Sequence, residues 1–110
     1  MFSLSKDTHD YIKENGGNVL VTMPFMSSVG GWCASKSKLR GNYVPRVFLD
    51  SPNEDEKMNL LKEEQDGITI WYEQMIADKR TSDTITIEKK GLFFLKWLAL
   101  DGVPTIPVAG

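Results

Sequence analysis

The only cysteine of the chain, Cys33, is the residue with the most reactive side chain. Its segment reads Gly30-Gly31-Trp32-Cys33-Ala34-Ser35-Lys36-Ser37-Lys38. Thiolate is the nucleophilic and metal-binding form of cysteine, and nearby cations favour it, while glycines let backbone N–H groups approach an anion or a cluster. Cys33 is therefore a candidate ligand or redox thiol. The alternative is an inert, half-buried cysteine that packs as a small hydrophobe.

The loop around Cys33 forms the supporting part of the predicted site. Its members are Gly30, Gly31, Trp32, Ser35, Lys36, Lys38 and Arg40. Residues 24–49 hold four basic side chains and no acidic one, whereas residues 50–67 hold seven acidic side chains against two lysines, a net charge of −5. A basic loop thus precedes an acidic stretch, although ordinary solvated surface is the simpler explanation of both.

No catalytic group is predicted from the remaining residues. His9 falls on the first predicted helix, and nothing in the sequence pairs it with Cys33. Glu63 and Glu64 are adjacent and would point to opposite faces of a strand, which argues against shared acid–base work. A Walker-type phosphate loop is excluded, because the glycine-lysine-serine ending is missing.

Composition narrows the class of protein. The 110 residues, 41% hydrophobic and 25% charged, indicate a single globular domain over 1–110 with its core at about 5–103. A net charge of −2 argues against a nucleic-acid partner. One Cys and one His permit neither an internal disulfide nor a multi-thiolate zinc site. No apolar run is long enough to span a membrane and no secretory signal opens the chain, so we expect no membrane partner and a cytoplasmic location.

The first half of the chain predicts a helix that begins at Ser5 and ends at Asn15-Gly16-Gly17. A strand over 19–23 follows, and then a stretch without periodicity over 24–42. Val44 to Leu49 predicts a strand at a sheet edge, because Pro45 cannot donate to a ladder. Ser51-Pro52-Asn53-Glu54 predicts a capping box and a short helix.

The second half predicts two hairpins. Asp66-Gly67 favours a type I′ turn between strands 60–65 and 68–73. The other hairpin joins 84–88 to 92–100 through a turn at 89–91. Both faces of the last strand are apolar, so we expect a central core strand or an oligomer contact, with Phe93, Leu95 and Trp97 as the interface. Residues 104–110 are predicted to be a loose tail. The fold class is α+β, mainly β, with an N-terminal helix and antiparallel strands in a small pseudo-barrel or sandwich.

The order of these features resembles the HesB-like superfamily. The residues that carry the resemblance are Tyr11-Ile12-Lys13 before Gly16-Gly17, Gly30-Gly31-Trp32-Cys33, Asp66-Gly67-Ile68-Thr69-Ile70-Trp71-Tyr72, Asp83-Thr84-Ile85-Thr86-Ile87 and Gly91-Leu92-Phe93-Phe94. Within the superfamily they are most similar to the CC/Se-motif branch of small prokaryotic proteins. The likeness extends from about Ser5 to Val103.

This resemblance implies chemistry for Cys33. The A-type iron-sulfur carriers of the superfamily hold a cluster or iron with one mid-chain Cys and a Cys-Gly-Cys pair near the C-terminus, usually across a dimer. Cys33 matches the first position, but residues 101–110 contain no Cys. The CC/Se branch typically carries two neighbouring cysteines or a Cys with selenocysteine, whereas Cys33 is flanked by Trp32 and Ala34.

The leading hypothesis is a non-enzymatic HesB-like protein related to iron-sulfur cluster biogenesis. In it Cys33 binds a cluster, iron or a thiol partner, and the expected protein partners are a second copy of the chain and iron-sulfur assembly proteins. A second hypothesis is a HesB-like scaffold that acts as a protein-interaction module without metal. A third is a single-cysteine redox protein that forms mixed disulfides.

Overall fold

The computed structural model describes residues 1–27, 40–92 and 95–109. In chain order the elements are β1 (Phe2–Leu4), α1 (Lys6–Glu14), β2 (Asn18–Thr22), β3 (Phe25–Ser27), β4 (Arg40–Tyr43), β5 (Arg46–Phe48), α2 (Glu54–Lys57), β6 (Leu61–Gln65), β7 (Ile68–Tyr72), α3 (Gln74–Lys79), β8 (Ile85–Leu92), β9 (Leu95–Asp101) and β10 (Ile106–Ala109). Strands dominate these ranges, which confirms the mainly-β class.

Helix α1 forms where its end signals predict it. The Ser5 Oγ accepts a hydrogen bond from the Thr8 N–H at 3.2 Å and so caps the first turn. Thr8 and Ile12 lie on the buried face. The chain then turns away through Gly16 and Gly17, whose φ angles of 105° and 74° are ones that glycine adopts without strain.

The largest sheet has the strand order β5-β2-β7-β6. Strands β2 and β7 are parallel, and the outer pairs are antiparallel. Asp66 and Gly67 turn β6 into β7 with φ angles of 45° and 89°, as predicted for this hairpin. β5 occupies the sheet edge that Pro45 predicted.

A second sheet, β1-β8-β9, completes the core with α1. β1 pairs parallel with β8, and β8 pairs antiparallel with β9. α1 packs against β2, β7 and β8, and β5 lies beside β9. One core cluster joins these elements; among its fully buried members are Ile12, Val19, Val21, Ile70, Ile76, Ile85 and Ile87. Each such side chain contributes roughly 1.5–3 kcal/mol through burial.

A third sheet has the order β10-β4-β3 and is antiparallel throughout. In the described ranges the three sheets stay open and none closes into a barrel. The hairpin signals in the sequence predicted antiparallel pairs only. The structure also contains two parallel pairs, β1 with β8 and β2 with β7. They join strands far apart in the chain, so no local signal announces them.

Several local predictions were wrong. The stretch 24–42 was expected to lack periodic structure, but its ends form β3 and β4. The residues 104–110 were expected to be a loose tail, but β10 pairs with β4. Backbone pairing decides both cases, since short strands with mixed composition gain their stability from a neighbouring strand.

Other boundaries moved. The turn predicted at 89–91 was wrong, because Lys89, Lys90 and Gly91 pair with Leu98, Trp97 and Lys96 in the β8–β9 ladder. Helix α2 is capped by Asn53 with Glu56 in a capping box, two residues after the predicted cap Ser51. Strand β1 and helix α3 carry no strong local signal and were not predicted.

Candidate functional site

The third sheet holds both ends of the segment that contains Cys33. Ser27 of β3 lies opposite Gly41 of β4, so the residues on either side of segment 28–39 are neighbours. On the other side of β4, Ala109 of β10 lies opposite Arg40. The two ends of segment 28–39 and the end of β10 therefore meet at one end of one sheet.

An aromatic contact and a backbone hydrogen bond join β3 to β4, and two side chains join the sheet to the main core. The rings of Phe25 and Tyr43 meet edge to face, with centroids 5.3 Å apart. The Val44 N–H donates to the Pro24 carbonyl oxygen at 3.0 Å. Tyr43 and Ile106, which face each other across β4 and β10, also pack against the main core. The sheet that holds both ends of segment 28–39 therefore packs on the main core.

Most of the predicted site lies outside the described residues. Segment 28–39 contains Cys33 and all but one of the supporting residues: Gly30, Gly31, Trp32, Ser35, Lys36 and Lys38. Arg40 is the exception and begins β4. The role of each of these residues stays a prediction.

The predicted interface residues belong to the β8–β9 hairpin. Phe93 lies outside the described residues, whereas Leu95 is 71% exposed and Trp97 is 47% exposed. Lys96, between them, is also exposed, so β9 has solvent on both faces until Leu98 enters the core. β9 lies at one side of the β1-β8-β9 order, where β8 is central.

His9 and Gln65 illustrate how the first helix is fixed to the sheet. The His9 Nε2 lies 3.1 Å from the Gln65 carbonyl oxygen, which makes it a hydrogen-bond donor in a partly buried setting. This contact helps to hold α1 on the sheet.

A hydrogen-bonded group around Glu63 was not predicted from the sequence. Its carboxylate accepts from the Met1 ammonium at 3.1 Å, from the Phe2 N–H at 3.2 Å and from the Gln65 side chain. Burial alone would raise the pKa of Glu63, but these hydrogen bonds and the ammonium charge outweigh it and hold the pKa below its ordinary value. The group joins the start of the chain to β6, 62 positions away. The sequence shows only that Glu63 and Gln65 are two residues apart and so lie on the same face of a strand.

Two other carboxylates, Glu56 and Glu73, line a cleft of about 190 Å³ together with Leu20, Thr22, Asn59 and Leu60. The Glu73 carboxylate accepts from the Met23 N–H at 2.7 Å, and the Glu56 carboxylate accepts from the Asn53 N–H at 3.3 Å. Glu73 therefore binds the backbone just before β3, and Glu56 is part of the cap of α2. Throughout the ranges that the structure describes, no three His, Cys, Asp or Glu side chains gather as a metal-binding group.

Comparison with known proteins identifies the family. The sequence model of the CC/Se motif containing family matches residues 1–103. The chain belongs to this family. A crystal structure of Escherichia coli SufA, described as involved in the biosynthesis of iron-sulfur clusters, is similar over 92% of this chain and 79% of its own, with 15% identity and a TM-score of 0.49. No curated protein matches the sequence.

Family membership confirms the CC/Se branch of the resemblance seen in the sequence. As a CC/Se member this chain keeps a single cysteine, Cys33, between Trp32 and Ala34. No helix in the described part of the chain is both long enough and apolar enough to cross a membrane.

Proposed function

We propose that this CC/Se family member is a non-enzymatic protein of iron-sulfur cluster biogenesis, and that Cys33 supplies one thiolate to an iron or cluster cargo shared with another chain. The cargo is held between partners and is not a resident cofactor. The proposal includes the cytoplasmic location expected from the sequence and assembly proteins as donors or acceptors.

The observation that carries the proposal is the pairing in the β10-β4-β3 sheet. Because Ser27 pairs with Gly41, the residues on either side of the Cys33 segment are neighbours. The pairing of Ala109 with Arg40 brings the end of β10 to the same place. The HesB-like resemblance implies one site built from a mid-chain cysteine and from residues near the end of the domain. The strand pairing supports that arrangement, because it joins the two regions at one end of a single sheet.

The donor set of one chain does not fit a cluster of its own. Iron-sulfur clusters are commonly held by four cysteine thiolates, and this chain has one cysteine. Two copies would supply two thiolates, so the other ligands would come from a partner protein or from a small thiol. This count favours a shared, transferable cargo over a permanently bound cluster.

Anaerobic loading with iron and sulfide tests the proposal. Wild type, Cys33→Ser and the control Ser35→Ala are loaded side by side with glutathione present, and iron, sulfide and visible absorption are measured per chain. Ser35→Ala alters the same segment without removing a thiol. We expect Cys33→Ser to lose at least nine-tenths of the bound iron, and Ser35→Ala to retain it, because a serine hydroxyl is a poor ligand for this metal at neutral pH.

Equal iron and sulfide on wild type and Cys33→Ser would contradict the proposal, and so would their absence from both. Circular dichroism of all three proteins verifies that the variants fold. A cluster transferred from the loaded wild type to an acceptor apoprotein, but not from Cys33→Ser, would further support the carrier role.

A second candidate function is a protein-interaction module without metal. The exposure of Leu95 and Trp97 supports it, since large apolar side chains on the surface often mark contact sites. Under this alternative, changing Trp97 abolishes partner binding while changing Cys33 has no effect.

A further inference from the structure

A cleft of about 190 Å³, lined in part by Glu73, opens on the face of the β5-β2-β7-β6 sheet that points away from the main core. Val19 and Val21 of β2 belong to the core, so Leu20 between them points to the opposite, outer face. Leu20 is nevertheless only 8% exposed, and with Leu60 it gives the cleft an apolar lining. Part of the cleft is therefore apolar and shielded from solvent.

The edge strand β5 borders this cleft with a cationic and an aromatic side chain. Arg46 lies opposite Thr22, and Phe48 lies opposite Leu20. Val47 between them packs against the core, so Arg46 and Phe48 share the outer face, where both are exposed. Directly opposite residues of an antiparallel pair are close neighbours. A guanidinium and an aromatic ring therefore stand beside two of the residues that line the cleft.

The charges around the cleft are fixed in place but not neutralised. The half-buried Glu73 accepts a hydrogen bond from the Met23 N–H through Oε2, at 2.7 Å. Glu56 accepts one from the Asn53 N–H through Oε1, at 3.3 Å. Within residues 1–27, 40–92 and 95–109, neither glutamate and not Arg46 belongs to an ion pair. Carboxylates and a guanidinium thus meet at one cleft without a partner of opposite charge among the described residues.

The spacing of these groups suits a small ligand that carries both charges. The Glu73 N–H donates to the Val21 carbonyl oxygen, so Glu73 lies beside Thr22 on the side away from Arg46. Two strand spacings, about 10 Å, therefore separate the Arg46 and Glu73 backbones. Sites for drug-sized ligands usually occupy about 300–1,000 Å³, so this smaller cleft admits a ligand of few heavy atoms.

We propose that the cleft binds a small aliphatic α-amino acid. Its ammonium group donates to the Glu73 carboxylate, its carboxylate accepts from the Arg46 guanidinium, and its side chain packs on Leu20 and Phe48. Charge-assisted hydrogen bonds of opposite polarity at the two ends fix the orientation of the ligand. This binding site adds a small-molecule ligand to the proposed function, and no step of the binding requires Cys33.

Three matched ligands test the proposal by amide chemical-shift titration of the metal-free protein. They are leucine, 3-methylbutylamine, which lacks the carboxylate, and 4-methylpentanoate, which lacks the ammonium. We expect leucine to bind with a Kd below about 1 mM and to shift the amides of Leu20, Thr22 and Leu60. Each analogue should bind about tenfold more weakly or worse, because it leaves one charge of the cleft unmatched.

Two conservative variants assign the two ends of the ligand. Glu73→Gln keeps an acceptor for the Met23 N–H but removes the negative charge, and Arg46→Gln removes the positive charge. Each should weaken leucine binding about tenfold, whereas Glu73→Gln should leave 4-methylpentanoate, and Arg46→Gln should leave 3-methylbutylamine, within about twofold of wild type. The controls Glu64→Gln and Arg80→Gln make the same changes away from the cleft and should bind leucine as wild type does.

Three results would overturn the proposal. These are no saturable shifts with leucine up to about 10 mM, 3-methylbutylamine that binds as tightly as leucine, and variants of Glu73 and Arg46 that bind leucine as wild type does. Circular dichroism verifies that each variant folds. Cys33→Ser should bind leucine as wild type does while it fails to load iron, so failure of this proposal is separable from failure of the cargo proposal.

Discussion

The central body and the β10-β4-β3 sheet are held together in different ways. In the body, side chains from α1, β2, β7 and β8 interlock, and Ile12, Val19, Ile70 and Ile87 have no exposed surface. In the smaller sheet the backbone ladders supply the order, and Tyr43 and Ile106 are only partly buried against the core. The body therefore carries most of the stability, while the smaller sheet carries the ends of the Cys33 segment.

This division separates the requirements for folding from those for chemistry. Loss of a core side chain should destabilise the entire chain, because one cluster joins the helix and both larger sheets. Changes in the smaller sheet should loosen the site and leave the body folded, since local opening follows the number of buried contacts. The predictions below test that separation, from the largest effect to the smallest.

Ile70→Ala should have the largest effect on stability. Ile70 lies in the parallel pair of β7 with β2 and is fully buried, so its truncation leaves a cavity and lowers the free energy of unfolding by about 2–5 kcal/mol. Urea denaturation followed by tryptophan fluorescence measures the change. Met58→Ala, at an exposed position, is the control and should change stability by less than about 0.5 kcal/mol. Similar losses in both would contradict the assignment of the core.

Gly102→Ala compared with Gly16→Ala separates backbone strain from crowding. Both glycines have a φ of 105°, but a Cβ at Gly102 would lie 3.0 Å from the Thr84 carbonyl oxygen, whereas a Cβ at Gly16 meets nothing within 4 Å. We expect Gly16→Ala to cost about 1 kcal/mol and Gly102→Ala about 2–3 kcal/mol. Thermal unfolding of the two variants measures the difference. Equal losses of stability would contradict the close approach of Gly102 to the Thr84 carbonyl oxygen.

Tyr43→Ala should act mainly on the smaller sheet, since Tyr43 is only partly buried against the core. It removes the edge-to-face contact with Phe25, and we expect it to lower stability by about 1–2 kcal/mol. Amide hydrogen exchange should accelerate at least tenfold in β4, with no change in β2 or β7. Tyr43→Phe keeps the ring and should behave as wild type. Uniform acceleration across all strands would mean that the two regions open together.

Glu63→Gln should have the smallest effect and a defined pH dependence. The pKa of Glu63 is lowered in the folded state, so the carboxylate stabilises the fold above its unfolded pKa of about 4.3, and this contribution disappears as pH falls through the lower folded value. Solvent screening of the partly exposed group limits the loss at neutral pH to about 1 kcal/mol.

Thermal unfolding of wild type and Glu63→Gln from pH 7 to pH 2.5 checks this sign. The two curves should converge in acid. Glu64→Gln, which alters an exposed neighbour paired with Lys62, is the control and should follow wild type throughout. A gap that widens in acid would contradict the interaction network around Glu63.

Local signals in the sequence predicted those elements whose stability is also local. The Ser5 cap defines the start of α1, and Asp66-Gly67 defines the β6–β7 hairpin, because both depend on conformational preferences of a few adjacent residues. The second hairpin was predicted to turn at 89–91, since Lys89, Lys90 and Gly91 look like turn residues, and yet these residues pair with β9. The pairing partner, and not the local composition, decides where that turn falls.

The candidate site also has one part that residue type revealed and another that only strand pairing revealed. Cys33, its glycines and its lysines were recognisable from residue type alone, and so was the CC/Se family that the match over residues 1–103 confirms. Whether Cys33 binds iron stays a prediction. The approach of β10 to β4 could not be foreseen, because Ile106 to Ala109 form a strand only through a partner more than sixty residues earlier.

By itself the sequence determined the first helix, the Asp66-Gly67 hairpin, the mainly-β class, the family and the position of the only thiol, all of which follow from residue type and short-range order. The tertiary structure alone decided the parallel pairs β1–β8 and β2–β7, the Glu63 network and the meeting of β3, β4 and β10. These features join distant parts of the chain, and their stability comes from burial and pairing that exist only once the chain has folded.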